Sequence, residues 1–419
     1  MDIMRFISKI KKANLQQFAI TSLITIIIAS VVSVTLTLAF GFPKTANSQL
    51  YEDPKVLAEK AVQLCNKEVT RFRTCYGEEF KRVVKKYNYQ VAVDTLHAAQ
   101  DLDIKTQDCH LIAHRIADAQ VEKDPESWIT FIKQVPTNEC IGGFIHGTLE
   151  THRRFNPEYE ISEKTIPEIC GLIGKDQALT YCVHMLGHIL PVENDGSIDK
   201  AAEVCSKLDG KISYNCYTGV FMENITRDNL VAHGFAQHVP YSEESAQAQE
   251  EICKQYERDS IQHFWKGEAA TGCWQEITHY YVQLSDQNPE TLWTKYCSRA
   301  KAEKSREACF LHGVSFIAGD PDLDEKINMA TLCNPFTQNG TNKERFLKCM
   351  NSNIYILTNS SYKFADRVNF LCEKGLSKEM QDKCYGYLGN RLSQLTTTDQ
   401  KNSYCAKAPK GSVEVCHGT

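Results

Sequence analysis

Eighteen cysteines narrow what this chain can fold into more than any other feature. Sixteen of them fall into close pairs: Cys65 and Cys75, Cys170 and Cys182, Cys205 and Cys216, Cys253 and Cys273, Cys297 and Cys309, Cys333 and Cys349, Cys372 and Cys384, Cys405 and Cys416. Cys109 and Cys140 stand apart. An even cysteine count suits disulfides, which persist in oxidising compartments, so up to nine bridges are expected. Zinc–thiolate sites are not, because no Cys-x-x-Cys occurs.

The pairs recur roughly every 30 to 50 residues, the period of stacked repeats. Their flanks repeat too. A short run such as "IPEIC", "AAEVC", "QEEIC", "WTKYC" or "VNFLC" precedes the first cysteine. An apolar run with small residues follows the second: "CVHMLGHIL", "CYTGVFMEN", "CFLHGVSFIAG", "CYGYLGNRL". Polar residues with Gly, Lys, Ser or Asn lie between, as turns require. Tyr217, Val220, Phe221 and Ile225 follow helical spacing rather than strand alternation. The expected fold is all-α: antiparallel helical hairpins, each stapled by a disulfide and stacked into a solenoid or toroid, since one hairpin cannot bury its apolar face alone. Closing a loop of some 15 residues stabilises by about 3 kcal/mol in the chain-entropy picture.

From Phe18 to Phe42 the chain runs without a charge, long enough to cross a bilayer core. Arg5, Lys9, Lys11 and Lys12 precede this run, which places the N-terminus in the cytosol by the positive-inside rule. The expected organisation is a basic cytoplasmic tail (1–17), a transmembrane signal anchor (18–42), a linker (43–55), His- and Glu-bearing helical repeats (56–240) and Cys-paired helical repeats (241–419). The chain is then a single-pass membrane protein with its bulk extracytoplasmic. A cleaved signal with its cut near Ala46–Ser48 leads to the same compartment. A net charge of −5, with no basic run past the first dozen residues, gives no footing for nucleic acid.

In unit length and in the small residues of its packing helices, the stretch from about residue 56 to 416 resembles the tetratricopeptide and Sel1-like repeats. Their signature of Trp, Leu-Gly, Tyr and Pro is not met here. "CYG" at Cys384 and "CHG" at Cys416 look like zinc-ligand words of lanthipeptide cyclases; the tryptophan before the first word is missing, and the cysteine period accounts for both.

Histidines crowd one part of the chain. His110 and His114 in "CHLIAH", and His184 and His188 in "CVHMLGH", are four residues apart and share a helix face. His146 stands four residues before Glu150, and Glu223 lies on the equivalent face of a later unit. His146, His188 and His279 each fall six residues after the second cysteine of their unit, so stacking could bring them together. The candidate metal ligands are His110, His114, His146, Glu150, His184, His188 and Glu223, with Glu150 or Glu223 as candidate general base. Nitrogen and oxygen donors suit zinc, iron, copper or manganese. His152, His233, His238, His263, His312 and His417 read as surface or core residues. Gly143, Gly147, Gly187 and Gly219 signal either close helix packing or room for a bound group. Sequons begin at Asn224, Asn339 and Asn359.

Hydrolase elbows, phosphate loops, dinucleotide fingerprints and haem-attachment words are all missing. Three functions fit what remains. The leading one is an extracytoplasmic repeat protein that binds a protein, peptide or other ligand on its concave face, with the His/Glu metal site as part of that surface. The second is a metal-dependent hydrolase or oxidoreductase using the same cluster. The third is a disulfide-stapled structural spacer.

Overall fold

All eighteen cysteines pair in the structure, and every close pair of the sequence is a disulfide. The ninth bridge joins Cys109 to Cys140, 31 residues apart. The computed structural model describes residues 52–418 apart from 68–71, 136–138, 159, 228–229, 231–235, 238, 321–322, 325 and 338–341; within them all regular structure is helical, with no strand. The transmembrane segment 18–42, the basic tail and most of the linker lie outside the described residues. Among those described, no helix is long and apolar enough to cross a membrane.

Ten helices form a series in which each packs against the next: α1 (Phe72–Lys86), α2 (His110–Lys123), α3 (Gly143–Phe155), α4 (Asp176–Glu193), α5 (Gly210–Thr226), α6 (Trp265–Glu276), α7 (Thr278–Leu284), α8 (Glu303–Gly319), α9 (Lys343–Ser360) and α10 (Lys378–Leu395). Most are preceded by a helix that ends near the first cysteine of a bridge, such as Thr165–Ile173 with Cys170 or Ile198–Ser206 with Cys205. The bridge then reaches the first turns of the next long helix. Ser197, Ser242 and Ser377 cap helix starts by accepting a backbone N–H, which answers the unpaired donors there.

Helix lengths are uneven, from 18 residues in α4 to 3 in Pro289–Thr291, and Leu292–Tyr296 is wound as a π turn. The even helix pairs of a tetratricopeptide array are not reproduced. Distant parts of the chain also meet: Lys363 Nζ donates to His97 O at 2.7 Å and pairs with Asp101. Asn224 and Asn359 are buried, with side chains bonded to Gln249 and Arg391, so neither sequon is open to glycosylation in the folded chain; Asn339 lies outside the described residues.

Candidate functional site

The four glycines explain how the histidine-bearing helices come so close. A Cβ on Gly143 would lie 2.3 Å from His110 O, and one on Gly147 2.3 Å from His114 O. On the next pair, Gly187 would meet Cys216 O at 2.4 Å and Gly219 would meet His184 O at 1.9 Å. Helices α2 and α3, and helices α4 and α5, therefore touch backbone to backbone, and packing accounts for all four glycines. Such close axes let side chains of adjacent helices reach one another.

Four imidazoles meet as a result. Ring centroids of His110 and His146 are 4.7 Å apart, those of His146 and His184 5.6 Å, those of His146 and His188 5.7 Å, and those of His184 and His188 4.9 Å. Their hydrogen bonds assign the tautomers. Thr218 Oγ1 donates to Asn215 O at 2.8 Å, so it accepts from His184 Nδ1, also at 2.8 Å. His188 Nδ1 donates to Glu223 Oε2 at 3.3 Å, and His110 Nδ1 to Cys140 O at 3.1 Å. All three rings thus carry the lone pair on Nε2. His146 Nε2 is buried and has no hydrogen-bond partner.

Nε2 of His184 and Nε2 of His188 stand 3.2 Å apart. Two lone pairs facing each other at that distance need a cation between them, a proton or a metal ion. Two ligands about 2.0–2.1 Å from one zinc ion, at angles of about 90–120°, sit roughly 2.9–3.6 Å apart. A ring held through Nδ1 by a carboxylate or carbonyl is also how metal-bound histidines are oriented.

The Cys140 carbonyl is aimed by an unusual backbone. Cys140, Ile141 and Gly142 take φ values of 53°, 48° and 72°, a left-handed run that a β-branched residue rarely enters. The disulfide to Cys109 and the bond from His110 both hold it.

His114 is engaged differently. Its Nε2 lies 2.8 Å from Glu150 Oε2 and its Nδ1 3.5 Å from Asp118 Oδ1, a carboxylate that also accepts from Thr151 and pairs with Arg115. Burial opposes charge on this ring, but its bonds to Asp118 and Glu150 prevail and hold it up at about 9. The same bonds overcome burial for the carboxylates, lowering Asp118 to about 2 and Glu150 below its ordinary value. His110, His146 and His184 have no such overall support. Burial, then neighbouring imidazoles, push His110 down to about 4 and His184 to about 3, and depress His146 well below its usual value.

Glu223 is 1% exposed and holds both His188 and the backbone N–H of Leu230. Of the seven proposed ligands, then, four rings meet, while His114 and Glu150 pair beside them and Glu223 stands behind His188. Two neighbours, Asp118 and Glu276, went unread in the sequence, and a third, His312, was read as a surface or core residue. Asp118 continues the i, i+4 row of His110 and His114. Glu276 and His312 join His279 on helices α6 to α8, with His279 and His312 ring centroids 6.0 Å apart. Elsewhere His152 stacks on Trp128 at 4.2 Å and His417 bonds Asn402 at 2.8 Å, away from this row. His233 and His238 lie outside the described residues.

Among the described residues, no group of three or more His, Cys, Asp or Glu side chains is placed to hold a metal ion as it stands. No protein family, curated protein or solved structure matches this chain.

Proposed function

We propose that this chain is an extracytoplasmic, membrane-anchored helical protein that binds a transition-metal ion through His110, His146, His184 and His188, and presents that site to a ligand or protein partner on the inner face of a curved helical array. The observation that carries the reading is the pair of Nε2 lone pairs on His184 and His188, 3.2 Å apart with both Nδ1 atoms already committed. An all-imidazole set suits zinc, copper or iron better than magnesium or calcium. Nine disulfides fit the oxidising compartment this reading requires.

Ion binding is favoured over hydrolytic or redox catalysis because the two candidate bases are already engaged. Glu150 is bonded to His114, and Glu223 to His188 and Leu230. A purely structural spacer has no use for the unpartnered, buried Nε2 of His146, which costs stability wherever it has no partner.

The test is elemental mass spectrometry on the full-length oxidised chain in detergent, without a His-tag, beside the H184A/H188A variant. A near-stoichiometric ion lost in the variant is the expected result. If the wild type binds none after exposure to zinc, copper, iron and manganese, the facing nitrogens share a proton and the proposal falls.

A further inference from the structure

A second set of metal-ligating side chains lies farther along the same helix series. Glu276 ends α6, His279 begins α7, and His312 projects from α8. Glu276 Oε2 and His279 Nε2 are 3.6 Å apart, and both atoms are buried without a hydrogen-bond partner. The Glu276 side chain is only 2% exposed. A buried carboxylate oxygen and a buried ring nitrogen that face each other at 3.6 Å, within ion-pair range but too long for a hydrogen bond, are costly to leave in this state.

The surroundings hold these groups in place. Tyr214 Oη donates to Gln275 Oε1 at 2.6 Å, and Gln275 Nε2 donates to Glu276 Oε1 at 2.7 Å, which fixes the carboxylate with Oε2 turned toward His279. Thr278 Oγ1 donates to Gln275 O at 2.6 Å, so His312 Nδ1, 3.1 Å from that hydroxyl and 3.0 Å from the carbonyl, is the donor. Its lone pair is on Nε2. The same device fixes His184 through Thr218 and Asn215, with the order of ring and hydroxyl along the chain reversed. Phe316 packs against both rings, at 4.8 Å from His279 and 4.7 Å from His312, and forms an apolar wall.

We infer that Glu276, His279 and His312 form a second binding site for a divalent transition-metal ion, through one carboxylate oxygen and two imidazole nitrogens. The 3.6 Å between Glu276 Oε2 and His279 Nε2 is within the roughly 2.9–3.6 Å that separates two ligands of one ion. Binding draws the His312 ring to the same ion and satisfies both orphaned atoms. The donor set differs from the four-imidazole cluster: two nitrogens and an oxygen form the three-ligand kind of site that leaves a position open. This inference takes from the proposal above only that the inner face binds ions; no ligand is shared.

Zinc titration of the full-length, chelator-stripped chain, read by elemental mass spectrometry after desalting, separates the two sites. The wild type is expected to hold two zinc ions, E276Q one, and H184A/H188A one. Glu276→Gln is isosteric and can still accept from Gln275; H312Q supports it as a second variant should E276Q melt early in chelator. Loss of the second ion in either variant, with affinity weakened by more than about 100-fold, is the expected result. Unchanged zinc content in both E276Q and H312Q overturns the inference. A single ion lost only in H184A/H188A also overturns it and leaves the four-imidazole site standing. A single ion lost only in E276Q sustains it and removes the four-imidazole reading instead.

Discussion

Helices α2 to α8 and helices α9 and α10 are built on one plan, a disulfide near the start of most long helices, yet they bury different chemistry. The earlier helices pack at glycines and bury imidazoles and carboxylates. In the later region Asn353, Asn359 and Arg391 take the interior polar positions: Arg391 lies over the Tyr355 ring at 4.5 Å and bonds Asn359, and Asn353 donates to Cys349 O at 2.9 Å. Amide and guanidinium groups there meet each other and the backbone, although Asn353 Oδ1 and Asn369 Oδ1 are buried without a hydrogen bond, as His146 Nε2 is in the earlier region. The plan of helices and disulfides persists in the later region without the histidines, so that plan does not depend on them.

Cutting one bridge in each region sharpens that contrast most. C109S/C140S opens a loop with a sequence separation of 31 and should cost about 4 kcal/mol, whereas C405S/C416S, with a separation of 11, should cost about 3. Denaturant midpoints measure both. Only the first variant also frees the Cys140 carbonyl from its hold on His110, so only the first should lower metal content. Equal metal loss in the two would mean that ion binding reports general stability.

Glycine substitutions come next. Gly219→Ala drives a methyl group into the His184 carbonyl, and backbone cannot yield as a side chain can, so a loss of about 3 kcal/mol is expected. Gly319→Ala, on α8 where it faces α9, meets only the far end of Leu357 at 3.3 Å and should cost less than about 1 kcal/mol. Comparable thermal shifts for the two would refute the view that the histidine-bearing helices pack more tightly at their glycines than α8 does against α9.

Acid should weaken the first region selectively. His110 is held down at about 4 and His184 at about 3, while an unfolded histidine titrates near 6.5. Between those values the unfolded chain binds protons that the folded chain refuses, so stability is full above pH 6.5 and falls as pH drops. At pH 5 each ring costs about 2 kcal/mol in the metal-free protein. His114 runs the other way: held up at about 9, it contributes fully below pH 6.5 and loses its contribution as pH rises through 9. Amide exchange at pH 5 and pH 7 should show α2 to α4 losing protection while α9 and α10 do not. Replacing His184 with Gln should remove about 2 kcal/mol of the acid slope, and an unchanged slope would sink the assignment of a neutral ring.

Legibility in the sequence followed the range of each interaction. Eight bridges could be read because each closes a separation of 10 to 20 residues across a polar turn. Cys109 and Cys140 could not be paired that way, since their contact depends on how two helices cross. The histidine register brought His146, His188 and His279 into view, but His312, only three residues after Cys309, falls outside it and read as a surface or core residue. Glu276 was missed for the same reason. The glycines signalled close approach or open space with equal force until the opposing carbonyls were located. Lys363, whose partners lie more than 260 residues away, carried no sequence signal at all.

That contact sets the smallest and most specific test, because it joins the two regions rather than distinguishing them. Lys363 is 9% exposed at its side chain, donates to the His97 carbonyl at 2.7 Å and pairs with Asp101, itself 70% exposed. The exposed partner contributes little on its own. Most of the effect comes from the charged donor on a carbonyl, so Lys363→Met should cost about 1.5 kcal/mol, and Asp101→Asn less than about 1. Methionine keeps the apolar stem in place, which separates loss of the bond from loss of packing. If the junction is held by this bond, exchange should rise in the Tyr89–Leu102 helix and at the end of α9 together, because opening it exposes both sides at once. Increased exchange on one side alone would show that the two regions are tied elsewhere, and that the histidine-bearing helices keep their arrangement without help from the other end of the chain.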